Sequence, residues 1–217
     1  MERQERLSKV LRERAKALPP EIKRRLENCV GLVVFGSYAS ELETATSDID
    51  VFGIGDAKTH FKTPLIEIMI LPEHDLYSDT WLGSELANHI AAYGVPLGPR
   101  PEWFDSARIG PDAARRKHRR ICAYARSLEK HWHELSPSTK LRYQFKLRRE
   151  LQRLQLLTAE RPIPPTPTLD QSFTPDSGRA LVMSSELPSV AKRAILRLFP
   201  RVRRAEQPSV TPAGRSR

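Results

Sequence analysis

Only two cysteines, Cys29 and Cys122, occur among the 217 residues of the sequence. They are too few for the disulfide framework of a small secreted domain and for a zinc site built from several cysteines. The sequence contains no run of about 18 apolar residues, and it starts with a charged helical pattern rather than a signal peptide. We therefore expect no membrane span and no export, and we place the protein in the cytoplasm.

Aromatic residues are also scarce, at 7% of the chain, whereas charged residues make up 29%. The charge is unevenly distributed. Residues 1–50 are neutral overall, residues 51–110 carry a net charge of −4, and residues 111–217 carry 23 basic and 9 acidic side chains, a net charge of +14. Two interpretations are open: the basic half binds RNA or another acidic partner, or it consists of solvated helix faces and a basic tail.

The spacing of apolar residues predicts an alternation of helices and strands in the first half of the chain. Helical periodicity covers residues 3–18, and a second short helix is expected after Pro20. A third helix is predicted over residues 81–93, with Gly94 as its cap. Runs of β-branched and aromatic residues predict three strands, over residues 31–35, 49–54 and 65–71.

The second half has the pattern of long basic helices. They are predicted over residues 112–134 and 138–158, with a cap from Ser136 or Ser138, and a further helical stretch covers residues 177–199. The expected fold class is α/β (α+β), a small mixed sheet with flanking helices followed by an α-helical C-terminal domain. The predicted divisions are N-terminal helices (1–28), a strand-and-helix domain (29–108), a basic helical domain (109–200) and a disordered basic tail (201–217).

Three acidic residues lie on the predicted strands or at their ends. Asp48 and Asp50 are two positions apart, so their carboxylates leave the same face of a strand. Glu67 joins them if its strand is a neighbour in the sheet. Three converging carboxylates would repel one another unless a divalent cation neutralised them, and hard oxygen ligands suit Mg²⁺ or Mn²⁺, which in turn hold a nucleoside triphosphate. The alternative is that these are ordinary strand-end acids facing water.

Gly36 and Ser37 stand where a strand is predicted to end and a helix to begin. Glycine lets the backbone approach a phosphate, and the amides and hydroxyl at a helix start can bind that anion. Ten residues separate Ser37 from Asp48. A phosphate cradle, a carboxylate pair and a third carboxylate in this order suit two-metal phosphoryl transfer.

This pattern resembles the signature of the polymerase-β-type nucleotidyltransferase superfamily, and in particular its minimal and kanamycin-nucleotidyltransferase types. The segment GSELANHIAAYGVPLG is also similar to the helix and loop that end such domains. The resemblance implies that residues 29–108 form the catalytic domain, that Asp48, Asp50 and Glu67 are the catalytic metal ligands for Mg²⁺ (or Mn²⁺), and that Gly36, Ser37 and Ser47 bind the nucleotide. Many members have Ala-Arg-Gly after the Gly-Ser pair, where this chain has Ala39, Ser40 and Glu41.

The activity that this resemblance implies is transfer of a nucleoside monophosphate from a Mg-NTP, with ATP as the first candidate, to an acceptor hydroxyl on a protein, an RNA or a small molecule. In the kanamycin type the catalytic base lies in the helical domain, and here Glu129 and Glu134 are the candidates. Two alternatives are open. The protein could be an antitoxin-like nucleotidyltransferase acting on a partner toxin, or a nucleic-acid-binding module with a degenerate transferase site.

Overall fold

The structure is a computed structural model that describes residues 2–171, 179–180, 182–183, 187 and 189–198. Its first half is a mixture of helices and strands, as the sequence predicts. The elements are α1 (Glu2–Ala15), α2 (Pro20–Glu27), β1 (Gly31–Phe35), α3 (Gly36–Ala39), β2 (Ile49–Gly55), β3 (Thr59–Lys62), β4 (Ile66–Pro72), α4 (Asp79–Leu82), α5 (Glu85–Tyr93) and β5 (Val95–Pro96).

The second half is helical, with α6 (Pro111–His131), α7 (Pro137–Thr158), α8 (Thr166–Gln171) and α9 (Ser189–Leu198). Three of the helices begin with a proline at the first turn, where its missing N–H costs no hydrogen bond: α2, α6 and α7. The Ser136 hydroxyl caps α7 by accepting a hydrogen bond from the Thr139 amide. The combination of a strand-containing first half and a helical second half confirms the expected fold class. None of the described helices is long and apolar enough to cross a membrane.

The five strands form one mixed sheet in the order β3-β4-β2-β1-β5. The pairs β1–β2, β1–β5 and β3–β4 are antiparallel, and the central pair β2–β4 is parallel. The register of the parallel pair places Asp50 beside Glu67. The two short edge strands, β3 and β5, are absent from the sequence prediction, because four and two residues are too few to show a period.

Helices cover both faces of the sheet because strand residues alternate between two cores. On one face Val51, Ile68 and their neighbours pack against Leu7 and Leu11 of α1. On the other face Phe52 stacks on Trp81 in the α4–α5 region, with 5.0 Å between the ring centroids. A separate cluster joins the inner faces of α6, α7 and α9, including Ile121, Leu147, Leu151 and Ile195.

One predicted helix is wrong in detail. The apolar period runs without a break through residues 81–93, but the chain forms two helices, α4 and α5, separated at Gly83 and Ser84. The Ser84 hydroxyl accepts a hydrogen bond from the Ala87 amide, so it starts a new helix. The predicted Gly94 cap is present, with its amide donating to the Ile90 carbonyl oxygen. The domain boundaries stay predictions, and the tail 201–217 lies outside the described residues.

Candidate active site

The three acidic residues singled out in the sequence meet at one end of the sheet. Asp48 precedes β2, and Asp50 and Glu67 stand opposite each other near the starts of the parallel strands β2 and β4. Their carboxylate oxygens lie within 4.8 Å of one another. The antiparallel strand β1 ends at the same place, because its last residue, Phe35, pairs with Asp50. The Gly36-Ser37 pair therefore begins α3 directly beside the carboxylates.

The electrostatics of this cluster are those of excess negative charge. Burial, followed by repulsion from Asp48 and Glu67, raises the pKa of Asp50 to about 7, although Lys62 acts in the opposite direction. The energy of an ionised Asp50 is thus raised by its surroundings. A bound cation would remove that penalty. The donor set, three carboxylates within reach of one ion, fits a hard divalent metal such as Mg²⁺ or Mn²⁺.

A lysine and a histidine side chain from the edge strand β3 also reach the carboxylates. The Lys62 ammonium lies 3.3 Å from an Asp48 oxygen and also contacts Glu67, and His60 Nε2 lies 2.9 Å from the other Glu67 oxygen. Burial tends to raise the pKa of Glu67, but the hydrogen bonds from Lys62 and His60 hold it below its usual range. Sequence reasoning missed both residues, because the four residues of β3 are too short a run to show a strand period.

Gly36 is required by the geometry of the site. Its backbone has φ +70°, a conformation that residues with a Cβ rarely adopt, and a Cβ at this position would lie 2.1 Å from Asp50 Oδ2. The backbone of the strand-to-helix turn thus contacts the partly buried Asp50 carboxylate directly. The absence of a side chain is what lets the first turn of α3 lie so close to Asp50.

The other residues predicted to bind nucleotide are placed differently. Ser37 lines the cavity beside the carboxylates, but Ser47 is not among its lining residues. The Ser47 hydroxyl instead accepts a hydrogen bond of 2.9 Å from the Thr44 amide and so closes the loop before β2. Glu41, in the position where many members of the resembling family have glycine, adopts φ +57°. The backbone of Glu41 thus has the left-handed conformation typical of glycine, although the residue carries a side chain.

A cavity of about 790 Å³ opens beside the carboxylates and extends to the helical half of the protein. On the sheet side it is lined by Asp48, Asp50 and the Gly36-Ser37 turn. On the opposite side the wall is basic, formed by side chains of α6 and α7 together with a proline-rich segment: Arg116, Lys117, Arg120, Arg153 and residues 163–167. The volume of the cavity falls within the range of small-molecule and cofactor sites.

A buried ion cluster fixes this wall to the sheet-containing half. The Lys117 ammonium lies 2.8 Å from Glu85 Oε2 at the start of α5 and 2.9 Å from Glu150 Oε2 on α7. Arg153 also pairs with Glu150, at 2.9 Å. Burial works to raise the pKa of Glu150, but the charge and hydrogen bond of Lys117 lower it below the usual value. His89 adds a second link, because its Nδ1 donates to the Ile163 carbonyl oxygen at 2.7 Å.

We expect Lys117→Met to lower the free energy of unfolding by about 3 kcal/mol, because it removes the cation that two carboxylates share. The double variant Lys117→Met/Glu150→Gln should recover part of that loss. In the single variant the ionised Glu150 loses one of its cationic partners, whereas in the double variant residue 150 is neutral. Urea unfolding of the two variants and wild type measures both effects. Equal stability of the single variant and wild type would contradict the assigned role of Lys117.

The same cluster has a pH signature. The pKa of Glu150 is lower in the folded state than the usual value. The cluster therefore stabilises the fold above the unfolded value of about 4.3, and this stabilisation is lost as the pH falls through the folded value. The decrease of unfolding free energy on acidification should be smaller in the double variant than in wild type.

Several cavity residues carry no local signal in the sequence. The proline-rich segment at 161–167 reads only as a break between helices, and Lys117 and Arg120 belong to a basic run that is equally typical of a solvated face. Their position depends on the packing of α6 and α7 against each other, which no spacing reveals. Neither Glu129 nor Glu134, the candidate bases, is among the lining residues, whereas Glu85 is.

Residues 15–90 match the nucleotidyltransferase domain family. The matched segment includes Gly36-Ser37 and all three carboxylates, and it covers about a third of the chain. No curated protein matches the chain. The resemblance to the polymerase-β-type nucleotidyltransferases is therefore confirmed over this segment, which matches a nucleotidyltransferase domain. The domain supports transfer of a nucleoside monophosphate as the general reaction.

Proposed function

We propose that the protein is a metal-dependent nucleotidyltransferase that transfers NMP from an NTP, with ATP as the first candidate, to an acceptor hydroxyl. The observation that carries this proposal is the convergence of Asp48, Asp50 and Glu67 within 4.8 Å beside the Gly36-Ser37 turn and a cavity of about 790 Å³. The acceptor oxygen attacks the α-phosphorus, the bond from that phosphorus to the bridging oxygen of the β-phosphate breaks, and pyrophosphate leaves.

Each part of the site has a role in this reaction. Asp48, Asp50 and Glu67 hold Mg²⁺ or Mn²⁺, which when bound would stabilise the negative charge on the attacking and leaving oxygens. The backbone of Gly36 and the hydroxyl of Ser37 hold the terminal phosphates of the nucleotide. Arg116 reaches the cavity from the opposite wall with its charge exposed, and it would neutralise part of the triphosphate. Most of the rate acceleration would come from positioning and charge stabilisation.

The unfavourable placement of the Asp50 carboxylate also supports catalytic activity. Asp50 is partly buried beside two other acids, and its ionisation is disfavoured there. A degenerate module has no need to keep such a group, because a neutral residue of the same size would stabilise the fold. The site therefore favours an active transferase over the alternative of a binding module without catalysis.

The test is transfer of label from each α-³²P-labelled NTP, with Mg²⁺ or Mn²⁺, to the acceptors of a cell lysate. We expect labelled product with wild type and none with Asp48→Asn/Asp50→Asn. The matched control is Asp56→Asn/Asp105→Asn, which neutralises two exposed carboxylates outside the cavity lining and should retain transfer. Absence of label with every NTP and both metals would overturn the proposal. Label on a single co-expressed protein would identify the antitoxin-like alternative.

A further inference from the structure

A second basic concavity adjoins the cavity of the candidate active site. It has a volume of about 510 Å³ and lies along α7, with one wall from α6. We call it the basic groove and define it by Arg120, Arg142, Phe145, Lys146, Arg149 and Arg153. Arg120, Arg153 and Thr166 line both concavities, so the groove continues into the cavity that contains Asp48 and Asp50.

The charge of the groove is only partly neutralised by the protein itself. Arg149 pairs with Asp170, with 2.8 Å between Nε and Oδ1, and Arg153 pairs with Glu150, the one acidic lining residue. No carboxylate in the described ranges forms an ion pair with Arg120, Arg142 or Lys146, although the Lys146 ammonium lies 5.1 Å from the centroid of the Tyr124 ring. Arg142 and Lys146 are thus available to bind phosphates from outside the molecule, and Arg120, whose charge also lowers the pKa of Glu150, adds to the positive charge of the groove.

An aromatic side chain lies among these cations. Phe145 is 38% exposed, and the Arg148 guanidinium lies 5.4 Å from its ring centroid. An exposed ring in a basic groove is the combination by which proteins bind single-stranded nucleic acids, with phosphates on the cations and a base stacked on the ring. A polycationic small molecule would be repelled here, and a neutral one would leave the charges unused.

We propose that the acceptor is the 3′ end of a single-stranded nucleic acid that lies in the basic groove and presents its terminal hydroxyl to the carboxylates. This inference rests on the proposed nucleotidyl transfer and names its acceptor. The 3′-oxygen forms a bond to the α-phosphorus of the NTP, pyrophosphate leaves with the bridging oxygen, and the hydroxyl proton is released to solvent. The product is the strand extended by one nucleotide.

Binding is tested separately from catalysis. We would measure fluorescence anisotropy of a labelled 12-nucleotide single strand with wild type, with Arg142→Gln/Lys146→Gln in the groove, and with Arg126→Gln/Lys130→Gln. The control pair has the same residue types at the same i, i+4 spacing, is exposed on α6 and lines neither concavity. Circular dichroism and thermal unfolding verify that the variants fold.

We expect the groove variant to bind about tenfold more weakly at 50 mM salt and the control pair to bind within about twofold of wild type. The slope of log K against log salt should decrease by about 1.4 in the groove variant, because two phosphate contacts at about 0.7 each are removed. Equal weakening by both pairs, or no binding by wild type, would overturn the groove as a nucleic-acid site.

The acceptor role is tested with α-³²P-NTP and four strands, RNA and DNA, each with a free or a blocked 3′ end. Label on free ends alone, reduced by the groove variant and unchanged by the control pair, supports the inference, and the RNA and DNA arms identify the sugar. Label on a protein or a small molecule instead would overturn it while leaving nucleotidyl transfer intact. Strand binding without transfer to any acceptor would overturn the proposed function and, with it, the acceptor role.

Discussion

The variant Asp50→Asn should lose nucleotidyl transfer by about a thousandfold and, at the same time, raise the melting temperature of the metal-free protein. The carboxylate is partly buried beside Asp48 and Glu67, and its pKa is raised to about 7 by burial and by these two acids. An amide has nearly the same size and no charge, so it removes the repulsion. We expect a gain of about 2 kcal/mol, which for a chain of this length is about 4–8 °C.

The loss of activity has a different origin from the gain in stability. Without the Asp50 carboxylate the three-acid donor set lacks its central member, and charge on the reacting oxygens is stabilised less. A loss of about 4 kcal/mol of transition-state stabilisation corresponds to about a thousandfold in rate. Mg²⁺ should raise the melting temperature of wild type and have little effect on Asp50→Asn.

Asp56→Asn is the control for this prediction, because Asp56 is an exposed acid just after the opposite end of β2. It should change neither the rate nor the melting temperature beyond small effects. Differential scanning fluorimetry with and without Mg²⁺ measures the melting temperatures. Label transfer at saturating NTP measures the rates. Retained transfer by Asp50→Asn, or a lower metal-free melting temperature, would contradict the assigned role of this carboxylate.

The sequence predicts the site better than its surroundings because the site depends on local periodicity. The two-residue spacing of Asp48 and Asp50 already predicts that both carboxylates leave the same side of an extended chain. That Glu67 joins them depends on strand order, and here the family resemblance, rather than the residues themselves, supplied the expectation. The direct β2–β4 pairing in parallel register then places Glu67 beside Asp50.

The parts that could not be predicted depend on contacts between distant segments. Lys62 reaches the carboxylates only because β3 is an edge strand that pairs with β4. Lys117 reads as one residue of a basic run, yet it is buried between Glu85 and Glu150. A buried lysine is rare unless it is paired, so no composition argument would select it from its exposed neighbours. The proline-rich segment likewise lines the cavity because of the way the helices pack, which its sequence does not reveal.

The variant Gly36→Ala should reduce transfer by about a hundredfold with a cost in stability of about 2 kcal/mol. The backbone of Gly36 has φ +70°, where a Cβ costs about 1–2 kcal/mol. The added methyl would also lie 2.1 Å from Asp50 Oδ2, so the carboxylate or the turn has to move. Small displacements of a catalytic group are sufficient for losses of this size. Gly98→Ala is the matched control, because a Cβ there meets no atom within 4 Å.

A double-variant cycle separates the clash with Asp50 from the backbone strain. In the Asp50→Ala background the carboxylate that the new methyl would meet is absent, so adding Gly36→Ala should cost only the strain of the left-handed backbone. The cost of Gly36→Ala should therefore be smaller in that background than in wild type, by at least about 0.5 kcal/mol. Urea unfolding of the four proteins measures this coupling. Additive costs would show that the turn and the carboxylate do not touch, and the explanation for glycine at position 36 would then be its backbone conformation alone.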